Sequence, residues 1–134
     1  MMAKSERIIL IDADVVSHFI TGGAIMHLPS IFPNKIKVLD KVYAELERFP
    51  GKKKQVDNLI NFKLIDLMTF PEENFEIKKE YLHIKKIMFK GDGEAACLAV
   101  VKHSKDILAS SNLKDIASYC KMYSILSDYY GLFM

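Results

Sequence analysis

The chain is poor in cysteine: Cys97 and Cys120 are the only two in 134 residues, too few for the disulfide framework on which small exported domains rely. Each falls within an apolar helical pattern, so both read as reduced, buried thiols. Long hydrophobic runs are also missing. No stretch approaches the ~18 apolar residues of a membrane span, and the opening MMAKSER leads into no apolar signal-peptide core. These absences argue against a membrane or exported protein and for a cytoplasmic one. Neither sign of charge dominates: a net charge of +2 permits a nucleic-acid partner without the strongly basic balance of a non-specific binder. Internal repeats and low-complexity linkers are absent. What remains is 50% hydrophobic and 27% charged, an ordinary globular composition, and the length suits one domain spanning 1–134.

The chain is organised around Arg7 to Ser17, RIILIDADVVS. Ile8 to Ile11 is a short, uninterrupted, largely β-branched run, which suits a strand buried on both faces of a parallel sheet. Asp12 then falls at its carboxyl end, where ligands collect in open α/β sheets.

Further along, Val15, Val16, Phe19 and Ile20 predict a helix stopping at Thr21-Gly22-Gly23. Ile36 and Val38 read as a brief extended piece. Asp40 reads as the cap of a helix carrying Val42, Leu46 and Phe49 and ending at Pro50-Gly51. Lys52, Lys53 and Lys54 form a basic knot beyond it, followed by a short helix through Val56, Leu59 and Ile60. Phe62 to Leu67 reads as a strand. Ile77, Tyr81, Ile84 and Met88 recur on one face of the longest helical pattern, whose other face carries lysines; it opens at Pro71-Glu72-Glu73 and breaks at Lys90-Gly91-Asp92-Gly93. An alanine-rich helix from about Glu94 to His103, a strand at Ile107 to Ala109, a helix carrying Ile116, Ala117 and Cys120 and a strand at Tyr123 to Leu126 complete the pattern. The alternation predicts an α/β fold with a mainly parallel sheet.

Four places can deliver oxygen ligands to one end of that sheet: Asp12 and Asp14; Glu45; Asp92 and Glu94; and Ser111, Asn112 and Asp115. Carboxylates crowded together repel one another unless a cation joins them, and hard oxygen donors suit Mg²⁺ or Mn²⁺. Such ions generate a hydroxide nucleophile and stabilise charge on a phosphodiester under attack. Each residue also has a plainer role. Asp12 suits a helix cap, Asp14 a first-turn acid, Glu45 an exposed helix glutamate, and Glu94 a partner of a helix dipole. Asp92 suits capping better than metal binding, and Ser111 and Asn112 are ordinary capping residues. His18, His27, His83 and His103 lack ligand spacing. The lysine knot reads either as solvated surface or as a phosphate-contacting rim.

The ordered set Ile8-Ile-Leu-Ile-Asp-Ala-Asp14, Val38-Leu-Asp-Lys-Val-Tyr-Ala-Glu-Leu46, Gly93-Glu-Ala-Ala96 and Ile107-Leu-Ala-Ser-Ser-Asn112 resembles the PIN domain, a small metal-dependent nuclease fold, over about Ile8 to Leu126. The resemblance implies a three-layer α/β/α sandwich around a small, mainly parallel central sheet. It implies an endoribonuclease using Mg²⁺ or Mn²⁺, with Asp12, Glu45 and Glu94 as catalytic, metal-holding acids and Asp14 in support. It implies RNA as substrate and, for a small stand-alone member, the toxin role of a toxin-antitoxin pair, held inactive by an antitoxin protein. Where many members carry a further aspartate, this chain has Ser111-Asn112, with Asp115 one turn on, so these three enter as supporting residues. That departure favours the alternative of a catalytically degenerate RNA-binding or protein-interaction module. Ile9-Leu-Ile-Asp-Ala-Asp14 also resembles the Asp-x-Asp strand of haloacid dehalogenase-type phosphatases, but Val15-Val16 stands where that superfamily has Gly-Thr, and its later acidic pair is absent. The apolar end Gly131-Leu-Phe-Met134 is open to three readings: a last strand, a homodimer surface or the stump of a shortened tail.

Overall fold

The computed structural model describes residues 8–23, 25–27, 30, 34–88, 91–110 and 126–128. Five parallel strands, β1 (Ile9–Ile11), β2 (Ile36–Leu39), β3 (Asp66–Met68), β4 (Ile107–Ala109) and β5 (Leu126–Asp128), form one sheet in the order β3-β2-β1-β4-β5. Helices α1 (Ala13–Thr21), α2 (Asp40–Leu46), α3 (Pro50–Asn61), α4 (Phe75–Met88) and α5 (Asp92–Ser104) complete an α/β/α sandwich. The expected architecture is the one observed. Among the described residues no helix is long and apolar enough to cross a membrane.

Ile9, Leu10 and Ile11 are all buried because β1 is the middle strand and has neighbours on both edges and both faces. Its register sets Ile9 beside Ile36 on one side and Ile107 on the other, and Ile11 beside Ala109. The chain leaves β1 towards β2 on one side and reaches β4 on the other. The carboxyl ends of β1 and β4 therefore flank the point where strand order reverses, the place where such sheets open a crevice.

Helix α5 is the interior helix. Ala95 through Val101 are buried without interruption, so it has no wet stripe over two turns, and its alanines let α4 and the sheet approach closely. It ends at Lys105, which adopts a left-handed conformation with φ 64°. Helix α4 presents Ile77, Tyr81 and Ile84 inwards as the spacing predicts; the side chain of Met88 lies outside the described residues. Lys41 on α2 sits about 5 Å over the rings of both Phe70 and Tyr81 and meets Glu72 at 3.3 Å, tying α2 to the β3–α4 loop and to α4.

Several boundaries differ from expectation. Helix α2 stops at Leu46, and Pro50 opens α3 instead of closing α2, because a proline at a first helical position loses no hydrogen bond. Lys52 to Lys54 consequently lie in the first turns of α3. Asp40 is the first residue of α2 rather than its cap; its carboxylate accepts from Lys41 N at 2.8 Å and Phe70 N at 3.1 Å. Residues 62–65 form a turn, with Lys63 at φ 60°, so the third strand is only Asp66–Met68. The last strand is described from Leu126 to Asp128, and Tyr123 to Ile125 lie outside the described residues. So do the predicted helix with Ile116, Ala117 and Cys120, and the chain end at Gly131 to Met134.

The fully buried Ala99 on α5 gives a direct check of this packing. Ala99→Leu inserts volume where none is free and is expected to cost about 1–3 kcal/mol in urea unfolding, whereas Leu82→Ala, at a position 54% exposed, is expected to change stability by less than about 0.5 kcal/mol.

Candidate functional site

Asp12 is the first residue past β1. Its backbone is extended, its N–H donates to Ala109 O at 3.1 Å, and its Oδ1 accepts from Val15 N at 2.9 Å, capping α1. The capping role and a place in a site therefore coexist in one side chain. The carboxyl is almost fully buried. Burial pushes its pKa from an ordinary 3.8 up to about 7, the Val15 amide and the Ser110 hydroxyl pull it down, and the negative charges of Asp14 and Glu94 push it up again.

Around it, Asp12, Ala13, Asp14, Glu45, Gly91 and Glu94 line one cleft of about 160 Å³. Asp14 stands exposed at the mouth, in the first turn of α1. Glu94 comes from the first turn of α5 and is half-buried, with its Oε1 atom fully so. Glu45 comes from the end of α2, and its Oε1 accepts from Gly93 N at 2.5 Å, where the helix N-terminus favours an anion. Glycine is needed there. A Cβ at Gly93 would overlap Glu45 Oε1 and stand 3.1 Å from Val42 Cγ2, so the missing side chain lets α2 seat its glutamate on α5. Beneath the cleft, the Cys97 thiol is fully buried and held well above its usual range, first by burial and then by Asp12, Glu45 and Glu94 together, and so stays protonated.

Of the residues singled out in the sequence, Asp12, Asp14, Glu45 and Glu94 meet in this cleft. Asp92 does not. Its carboxylate accepts from Tyr81 OH at 3.0 Å and pairs with Lys85, which holds it below the usual carboxylate range; Gly91 takes the cap position of α5. Ser111, Asn112 and Asp115 lie outside the described residues. Ser110, which the sequence offers as a capping residue ahead of the next helix and not as a site residue, is fully buried and donates its hydroxyl to Asp12. No local signal marks that role: it follows from the tertiary pairing of Ile11 with Ala109, which puts the residue after each strand end side by side. Among the described residues, no three His, Cys, Asp or Glu side chains are grouped so that they could hold a metal ion as they stand.

Two outcomes follow from this geometry. Gly93→Ala is expected to displace Glu45 and lower the melting temperature by several degrees, read by circular dichroism, while Gly51→Ala, where a Cβ meets nothing, is expected to match or exceed the parent. For Asp12, the folded-state pKa lies above the unfolded one, so raising the pH from about 4 to about 7 removes a proton from the unfolded chain first and stability falls across that window. Asp12→Asn keeps the helix cap without the charge. Its stability gain over the parent, in chelator, is expected to grow from near zero at pH 4 to roughly 3–4 kcal/mol at pH 8, measured by urea unfolding at each pH.

No family model matches the sequence, and no curated protein matches it. Solved structures do match its fold. The chain is similar to VapBC-1 from nontypeable Haemophilus influenzae, at a TM-score of 0.65 and 11% identity over 92% of this chain and 98% of that one. It is similar to FitAcB from Neisseria gonorrhoeae, at a TM-score of 0.60 and 14% identity over 94% and 99%. A toxin-antitoxin complex from Klebsiella pneumoniae matches at a TM-score of 0.55 and 13% identity over 81% and 89%. At these identities the likeness is one of backbone architecture, and by that architecture the chain has a PIN-like fold.

Proposed function

We propose that this protein is a metal-dependent endoribonuclease, the toxin of a toxin-antitoxin pair, with Asp12, Glu45 and Glu94 as its catalytic acids. The observation that carries the reading is the gathering of four carboxylates from three separate segments into one cleft at the strand-order switch point, with one of them buried so deeply that its own charge is disfavoured. A polypeptide gains nothing in stability from such crowding, and a divalent cation relieves it.

The donor set fits Mg²⁺ or Mn²⁺: it is all oxygen and anionic, and the raised pKa of Asp12 is what an added positive charge would reverse. Asp12, Glu45 and Glu94 would hold the ion, with Asp14 in support at the mouth. Once bound, it would supply charge neutralisation, an activated water and stabilisation of the phosphodiester during in-line attack. The chain's own contribution is positioning. The Val15 amide and Ser110 hydroxyl fix the direction of the Asp12 carboxylate, and the Gly93 amide holds one oxygen of Glu45 while its other oxygen remains for a ligand.

RNA as substrate, an antitoxin protein as partner and a cytoplasmic location belong to the same proposal. Support for the partner comes from neighbours of the same fold that are toxin-antitoxin complexes. The alternative, a degenerate RNA-binding or protein-interaction module, is favoured by Ser111-Asn112 in place of a further acid and by the engagement of Glu45 with Gly93.

The test is cleavage of a labelled single-stranded RNA pool by purified protein with Mg²⁺, with Mn²⁺ and with chelator, beside Asp12→Asn. Cutting that requires metal and drops at least 100-fold in the variant is expected. A well-folded protein that cuts under none of these conditions would transfer the assignment to the binding module.

A further inference from the structure

A cleft walled by four carboxylates repels a polyanion, so a nucleic-acid strand bound there has to be held by cations at its edge. Many lysines of the chain are already engaged: Lys53 pairs with Asp57, Lys85 with Asp92 and Lys102 with Glu80. Lys52 differs. Among the described residues no ion pair engages it; its ammonium lies 3.2 Å from Ser17 Oγ and 4.6 Å over the ring of Phe49. Ser17 follows the cleft residue Asp14 by three positions on α1, so the two side chains are neighbours on one helix face. The ammonium is thus anchored one helical turn from the cleft mouth, with donors to spare beyond the one given to Ser17. Phe49, four residues beyond the cleft residue Glu45, is 53% exposed. Cleft, uncompensated cation and exposed ring therefore adjoin one another.

We propose that Lys52 and Phe49 form a shelf that positions single-stranded RNA beside the cleft, Lys52 taking a backbone phosphate and Phe49 stacking an unpaired base. The inference rests on the nuclease reading for its substrate class and adds the residues that hold the strand. A single strand offers the required alternation of phosphate and open base face; a duplex offers only the phosphates, because its bases are already stacked. Lys54 supplies an internal comparison. It is two residues further along α3, which turns it about 200° away from Lys52, and it is exposed.

The experiment measures binding of a labelled single-stranded RNA pool to the Asp12→Asn protein by fluorescence anisotropy across a salt series. Lys52→Ala is expected to reduce the slope of log affinity against log salt by about 0.7, while Lys54→Ala, with the same change in charge, leaves it unaltered. Phe49→Ala is expected to weaken binding by about tenfold with the slope preserved, and to leave binding of the corresponding duplex unchanged. In a cleaving parent, Lys52→Ala raises KM while kcat stays within about twofold. Equal effects of Lys52→Ala and Lys54→Ala, parent-like binding by Phe49→Ala, an equal loss on duplex, or no binding by the Asp12→Asn protein would each overturn the shelf. Metal-dependent cutting by the parent without these binding effects removes the shelf and leaves the nuclease; shelf-dependent binding without cutting under any metal removes the nuclease and leaves the shelf.

Discussion

The carboxyl group of Asp12 is fixed by the burial of the strand that precedes it. Ile9, Leu10 and Ile11 can be satisfied only in the middle of a covered parallel sheet, and the chain must emerge from that strand at its carboxyl end, between β2 and β4. The next residue is therefore held against Ala109 and Ser110 on one side and the first turn of α1 on the other. Aspartate there caps the helix well and ionises poorly. These two consequences of one placement fix the direction of the carboxyl at the cleft and disfavour its charge.

The second constraint is the approach of α2 to α5. Because Gly93 has no side chain, Glu45 reaches the backbone of α5 directly, and the same helix start delivers Glu94 to the cleft. The alanine-rich, wholly buried body of α5 keeps that start at a fixed height above the sheet. Packing in the interior and geometry at the site are thus one problem: a larger residue in the buried run of α5 would move the acids as well as loosen the core.

Asp92 and Glu94 show how two acids a residue apart come to serve different ends. Asp92 turns towards α4, where Tyr81 and Lys85 engage it, and pins the α4–α5 junction. Glu94 turns into the cleft. The sequence Gly-Asp-Gly-Glu offers both for either role, and the choice is made by what each direction contains.

Much of this was legible in the residues. A β-branched run ending in aspartate, an Ala-rich helix after Gly-Asp-Gly-Glu and the strand–helix alternation point to a mainly parallel sheet with Asp12 at a strand end, because burial patterns and strand ends are local properties of a chain; the preference for Glu45 and Glu94 among the other acids came from the resemblance to the PIN domain. Helix ends were less legible: Pro50-Gly51 serves a helix start as well as a helix end, and only the path of the chain around α3 decides between them. The register of β1 against β4, the hydroxyl of Ser110 on Asp12, the seat of Glu45 on Gly93 and the contact of Lys52 with Ser17 all join residues far apart in sequence. Tertiary structure alone decided these, since periodicity and spacing carry the direction in which a side chain leaves its own element but no record of which distant backbone or side chain it will meet.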